Sequence, residues 1–343
     1  ERARTARIAL ADRALILGHH YQRDEVIQFA DITGDSFKLA QAAAAQSSAE
    51  FIFFCGVHFM AESADILTSS HQRVILPDLA AGCSMADMAT ANQVKECWRE
   101  LERMGVASRT VPVTYMNSSA AIKSFTGEHG GTICTSSNAQ KALEWAFAKA
   151  DKVLFLPDQH LGRNTAVLSL GLSIDDCVLW NPWKPMGGLT EDEIRSAKMI
   201  LWRGHCSVHG QFTRESINEV RERVPGINVI VHPECQHEVV LGADVVGSTE
   251  KIIQTVSSAP AGSAWAIGTE LNLVSRLANV NPDKKILFLD KTVCYCSTMN
   301  RIDLPHLVWA MESVVAGHIV NEIKVDERVA HFSKLALEQM LAL

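Results

Sequence analysis

The chain lacks any run of about 18 apolar residues, the length a helix needs to cross a bilayer, so a spanning segment is excluded. Its opening, ERARTARIALADR, has no apolar core of leader-peptide type. It also lacks a basic cluster. With 39 acidic against 32 basic residues and a net charge of −7, nucleic acid is a poor partner, although local cations or helix ends can still take a small anion. There is no CxxC pair, so a zinc ribbon is not indicated, and no Pro/Ser-rich linker or low-complexity segment. The chain opens at Glu1 without Met, which leads us to expect a start further upstream. A cytoplasmic location is the expectation, and structural disulfides are rare in such chains. The nine cysteines then divide between buried core thiols and a metal or cluster site.

What the chain does have is a repeat. Residues 14–39, ALILGHHYQRDEVIQFADITGDSFKL, read as an apolar run, a polar knot at His19 and Tyr21, a helix, and a small hydroxyl, Ser36, opening a second helix. The plan returns at 111–115 with Tyr115, Asn117 and Ser136, and again at 228–231 with His232, Glu234, Ser248 and Thr249. Later strands such as 51–55 (FIFFC), 152–156 (KVLFL) and 286–289 (ILFL) are unbroken apolar runs between helical stretches. Such runs predict parallel strands buried on both faces. The fold class expected is α/β, as three αβα sandwich units rather than one eight-fold barrel. Ser36 lies 47 residues before Cys83 and Ser248 lies 48 before Cys296, whereas Ser136 lies 70 before Cys206. The surplus falls in WNPWKPMGGLTEDEIRSAKM, which reads as an insertion. We expect units at 1–100, 101–213 and 214–296, with 297–343 packing back on the first.

Ligands of open α/β sheets bind beyond the carboxyl ends of the strands, where all the knots sit. Packing about a pseudo-threefold axis would bring His19, Tyr21, Tyr115, Asn117, His232 and Glu234 to one cavity. Ser36, Ser136, Ser248 and Thr249 would offer helix N-termini to anions, although such residues also serve as ordinary caps. One cysteine closes each unit, and three thiolates suggest an iron–sulfur cluster with one open iron, or zinc. Cys55 and Cys134 read as core thiols, as do Cys97 and Cys177, while Cys294 stands open beside Cys296. His209, three residues after Cys206, can face the cavity. His232 and His237 are five apart and share no helix face, and His20, His58, His71 and His160 carry no signal.

GHHYQ, GDS, FMAE, CSM, YMNSSA, CTSSNA, the CxVH of 206–209, VHPEC, GST, GTE and CSTM resemble the quinolinate synthases of bacterial NAD synthesis, in family order from about Gly18 to Val320. The resemblance implies three αβα domains about a pseudo-threefold axis and a [4Fe–4S] cluster on Cys83, Cys206 and Cys296. It implies condensation of iminoaspartate with dihydroxyacetone phosphate to quinolinate, phosphate and water, the open iron acting as a Lewis acid for dehydration. Tyr21 and Glu234 match the acid–base pair. Substrate contacts carry over to His19, Ser36, Tyr115, Met116, Asn117, Ser136, His209, His232, Pro233 and Thr249. An L-aspartate oxidase is the implied supplier of iminoaspartate. The chain departs from the pattern at His20, where Asn is common, and in the extra thiol of Cys294. A zinc-dependent hydrolase or aldolase and a dicarboxylate sensor are the competing readings.

Overall fold

Residues 1–45, 48–291 and 295–343 are described by the structure, a computed structural model. The apolar runs become strands whose side chains are buried on both faces. β1 (Ala14–His19) and β3 (Phe51–Cys55) are buried along their whole length, and they form a sheet with β2 (Ile32–Gly34) and β4 (Arg73–Ile75). The second sheet holds β5 (Thr110–Tyr115), β6 (Thr132–Cys134), β7 (Lys152–Leu156), β8 (Cys177–Trp180) and β9 (Met199–Trp202). The third holds β10 (Asn228–Val231), β11 (Val245–Val246), β12 (Ala264–Gly268) and β13 (Lys285–Phe288). Spatial order is β2-β1-β3-β4, β6-β5-β7-β9-β8 and β11-β10-β12-β13. Without β8, each sheet runs second, first, third, fourth strand, so the sequence repeat is a repeat of topology. Pairing within these sets is parallel throughout, and the helices that return the chain cover the sheets to give three αβα sandwiches.

A helix also precedes each first strand: Arg2–Leu10, Ala91–Arg103 and Arg214–Arg223. The latter two start at capping boxes built on Thr90 and Thr213, in which the cap side chain and the third helical residue satisfy each other's neighbouring N–H groups. The extra strand β8 lies on the outer edge beside β9. The insertion therefore begins a few residues before the expected Trp180, and Cys177 is half-buried on this edge strand rather than in a core. Cys55, Cys97 and Cys134 are buried as expected. Cys294 lies outside the described residues, as does Gln46, at the end of the alanine-rich helix that the sequence predicts over 37–46.

The tail does more than return to the first unit. Helix Leu304–Val315 packs on Arg2–Leu10, and β14 (Glu322–Ile323) adds antiparallel to β4. Helix Glu327–Leu341 then lies against Ala120–Glu128 of the second unit. Gly127 permits that approach, since a Cβ there would meet the Phe332 carbonyl oxygen at 1.9 Å. This docking has no counterpart in the sequence repeat. No helix among the described residues is long and apolar enough to cross a membrane.

Candidate active site

Parallel register brings the carboxyl ends of neighbouring strands level. His19 pairs with Gly34 in one sheet, Tyr115 with Cys134 in the second, and Val231 with Gly268 in the third. The knots that follow face a common cavity. Its wall contains His19, Tyr21 and Ser36 from the first unit, Tyr115, Asn117, Ser136 and His209 from the second, and His232, Glu234 and Thr249 from the third. Ser36 and Thr249 are the first residues of ten-residue helices, so free backbone N–H groups lie beside them. Ser136 instead lies in the turn before the helix Ala139–Lys149.

Two expected contacts do not reach the wall with their side chains. Met116 alternates away from Tyr115 and Asn117 into the core, where its sulfur accepts from Ser63 Oγ at 3.5 Å. Pro233 is engaged through its carbonyl, which accepts from Asn164 Nδ2 at 2.8 Å.

The first and third knots share one local device. The Tyr21 N–H donates to His19 Nδ1 at 3.2 Å, and the Glu234 N–H donates to His232 Nδ1 at 3.3 Å. Burial, with the neighbouring His20 or His209 adding to it, lowers both imidazoles to about 3. Each ring is therefore neutral near pH 7 with its proton on Nε2, a donor suited to a carboxylate or carbonyl oxygen.

A hydrogen-bonded chain crosses the site. The Tyr115 hydroxyl donates to Glu234 Oε1 at 2.5 Å, and His209 Nδ1 lies 2.9 Å from Glu234 Oε2. His209 Nε2 lies 3.1 Å from Thr269 Oγ1, which is 2.9 Å from the Tyr21 hydroxyl, itself 3.1 Å from Thr249 Oγ1. Burial opposes charge on Glu234, but His209 and the Tyr115 hydroxyl outweigh it and hold the carboxyl below the ordinary range. His232 is neutral and adds no charge of its own. Burial and the nearby Glu234 push both tyrosines well above their ordinary value, so they are neutral phenols.

Cys83, Cys206 and Cys296 line the same cavity, one from the end of each unit. All three are followed by Ser and open one helical turn. The Asp87, Gly210 and Asn300 N–H groups donate to the carbonyls of Cys83, Cys206 and Cys296 at 3.2, 2.9 and 3.0 Å. Burial, with Cys296 adding to it, pushes the Cys83 thiol up to about 12, and burial with Glu234 and Cys83 raises Cys206. Negative sulfur at this point needs a cationic centre beside it, and three convergent thiols supply the donors to hold one. Cys206, His209 and Glu234 also bring ligand atoms within 4.8 Å of one another. Both His209 nitrogens and both Glu234 oxygens already have partners, so the cysteine trio is the freer donor set.

Several site residues escaped the sequence reading. Glu270 lines the cavity, caps the helix Leu271–Val280 by accepting from the Asn272 N–H at 2.7 Å, and is raised to about 7 by burial. Its GTE motif was visible, but no spacing tied it to a partner. Asn164 of the second unit clamps the Glu234 turn. Its Nδ2 donates to the carbonyls of Pro233 and Cys235 at 2.8 and 2.9 Å, and its Oδ1 lies 2.8 Å from His237 Nδ1. His20, unassigned from sequence, lies 2.9 Å from Glu250 across the seam between the first and third units.

Comparison with known proteins agrees with this geometry. The family model described as "Quinolinate synthetase A protein" matches residues 3–342. The chain is 70 % identical to a quinolinate synthase of Streptomyces coelicolor, over 100 % of this chain and 87 % of that protein. It is 67 % identical to one of Nocardioides sp. over 100 % and 89 %, and 56 % identical to one of Acidobacterium capsulatum over 99 % and 92 %. The chain therefore belongs to the quinolinate synthase family.

Proposed function

We propose that this chain condenses iminoaspartate with dihydroxyacetone phosphate to give quinolinate, phosphate and two waters. The observation that carries the reading is the meeting of three equivalent Cys-Ser turns with two neutral histidines and the Tyr21–Glu234 chain on one cavity. A [4Fe–4S] cluster on Cys83, Cys206 and Cys296 would supply one iron without a protein ligand, a Lewis acid that eases departure of a substrate hydroxyl. The donor set fits: three thiols, one per unit, at the mouths of short helical turns.

The protein's own groups supply the rest. His19 and His232 present Nε2–H donors to the same cavity from two different units, one for each carboxylate of iminoaspartate. The helix starts at Ser36 and Thr249 offer backbone N–H groups to a carboxylate or to the phosphate. Asn117 has a buried amide oxygen with no hydrogen-bond partner among the described residues, ready to accept from a substrate hydroxyl or N–H. Glu234, held as a carboxylate, takes protons, and Tyr21, held as a phenol, gives and accepts them. Burial of the whole set keeps water from the reactive imine. Because that imine is short-lived in water, an enzyme that oxidises aspartate is the natural supplier.

The test is quinolinate formation by anaerobically purified protein, with iron and sulfide measured in the same sample. We expect activity with cluster absorbance, and loss of both in Cys83→Ala, Cys206→Ala or Cys296→Ala. A cluster-free, active Cys206→Ala protein would overturn the reading. So would one zinc per chain without iron, which favours the hydrolase or aldolase alternative, or tight dicarboxylate binding without turnover.

A further inference from the structure

The knot that carries Tyr21 turns back after β1, so its carbonyls at His20, Tyr21 and Gln22 belong to no strand or helix. All three accept from one helix of the third unit, Leu271–Val280. Arg276 Nη1 donates to the His20 carbonyl at 2.8 Å and Nη2 to the Gln22 carbonyl at 2.6 Å, while Nε donates to Asp24 Oδ1 at 2.6 Å. Asn272 Nδ2 donates to the Tyr21 carbonyl between them at 2.9 Å. We propose that Arg276 and Asn272 are positioning residues for Tyr21, so that the third unit sets where the first unit's phenol stands. The inference rests on the proposed function, in which that phenol moves protons.

Spacing lets one helix do this. Positions 272 and 276 are four apart, so both side chains leave the same face. A guanidinium offers its donors as a rigid planar fork, and two arms of this fork take the carbonyls on either side of Tyr21. Because the donor is charged, these bonds are stronger than neutral ones. The Arg276 side chain is only 19 % exposed, which leaves little water to compete for it. Asn272 is held in register by its own N–H, which donates to Glu270 Oε2 at the helix start at 2.7 Å.

The contacts close a ring. Asn272 Nδ2 also donates to Asn300 Oδ1 at 2.9 Å, in the turn that follows Cys296. From the knot, Gln22 Nε2 and Arg23 Nη2 donate to the carbonyls of Met299 and Asn300, each at 3.1 Å. Knot, helix and cysteine turn therefore hold one another, although Arg276 and Asn272 stand outside the cavity wall. The Tyr21 N–H is already fixed on His19 Nδ1. The clamp fixes the carbonyl side as well, so the backbone is held both before and after the Tyr21 side chain. The phenol oxygen lies at the far end of that side chain, where a small turn of the backbone is felt most. A misplacement of about 1 Å, made far from the chemistry, can cost about 10²-fold in rate.

The test compares Arg276→Met, which keeps most of the stem and loses the fork, with Arg276→Lys, which keeps a charge and donors. We expect kcat to fall about 100-fold in the methionine variant and about tenfold in the lysine variant, with KM for both substrates little changed. A residue that acts through Tyr21 has little to do without it. In a Tyr21→Phe background Arg276→Met should cost less than about threefold, whereas independent effects would multiply. Amide exchange reads the clamp without substrate. The amides of residues 20–22 should exchange faster in Arg276→Met and in Asn272→Ala, with the rest of the first unit as in wild type. Should Arg276→Met fail to fold, Asn272→Ala carries the same comparisons, with kcat down about tenfold. An unchanged kcat in Arg276→Met, a full repeat of its loss in the Tyr21→Phe background, or unaltered exchange at 20–22 overturns the clamp. A wild-type chain that makes no quinolinate overturns the functional reading instead, and the exchange comparison still decides the clamp.

Discussion

The first and third units place histidine two residues before the side chain proposed to move protons, as His19 before Tyr21 and His232 before Glu234, and in both the ring accepts the N–H of that later residue. The second unit puts Tyr115 and Asn117 at the same spacing and uses them differently. Tyr115 crosses to Glu234, and Asn117 keeps a buried acceptor without a partner among the described residues. One scaffold thus yields two preorganised N–H donors and one acceptor, set around a carboxylate shared between units. The repeated strands fix where a residue sits. The residue type at that place fixes whether it offers a donor, an acceptor or a brace for a neighbour.

The comparison is broken most severely at the shared carboxylate. Glu234→Gln keeps the shape but removes the base that faces His209 and the Tyr115 hydroxyl, and we expect kcat to fall about 10³-fold in a quinolinate assay. A fall smaller than tenfold would mean that the second and third units do not share a proton acceptor.

Acid should expose the paired imidazoles next. His19 and His232 titrate near 3 when folded and near 6.5 when exposed. The unfolded chain then binds more protons than the folded one between those values. Their contribution is complete above pH 6.5 and is lost as pH falls toward 3, at about 1.4 kcal/mol per pH unit for each ring. Thermal melts of the wild type from pH 7 to 5 should show a steeper fall than melts of a His19→Asn, His232→Asn double variant. Equal slopes would sink the claim that both rings are buried neutral.

The brace between the second and third units comes next. Asn164→Ala leaves two carbonyls beside Glu234 without donors, at a cost of about 1–3 kcal/mol. We expect faster amide exchange confined to the segment around residues 232–237 and a lower kcat, with the first unit unaffected. Uniform loosening of all three units would count against a local clamp. The smallest effect tests the symmetry itself. His19→Asn and His232→Asn should each raise a substrate KM by about tenfold, the value of one hydrogen bond to an anion, and to similar extents. Silence of one ring would show that the shared geometry has no shared function.

The parts of this molecule that repeat were legible in the sequence. Apolar runs such as FIFFC and KVLFL became fully buried strands, and the spacing from Ser36 to Cys83 and Ser248 to Cys296 located matching turns on one cavity. The parts that occur once were not legible. Thr269 binds Tyr21 across 248 residues and His209 across 60, and no local pattern records such a pairing. Asn164 carried no signal of its role, because that role depends on a loop 69 residues later. Met116 was carried along with its neighbours, although alternation turns its side chain into the core. The last helix joined the second unit because Gly127 lets it approach, a fact of packing rather than of periodicity.

The central claim is that three sulfurs, one from each unit, hold a single cluster with one iron left to the substrate. Mössbauer spectroscopy of anaerobically prepared, iron-57-labelled protein reads this directly. We expect about one iron in four to be distinct from the rest, and its signal alone to shift when a dicarboxylate substrate analogue is added. Four equivalent irons that ignore the analogue, or no iron–sulfur signal in active protein, would contradict it.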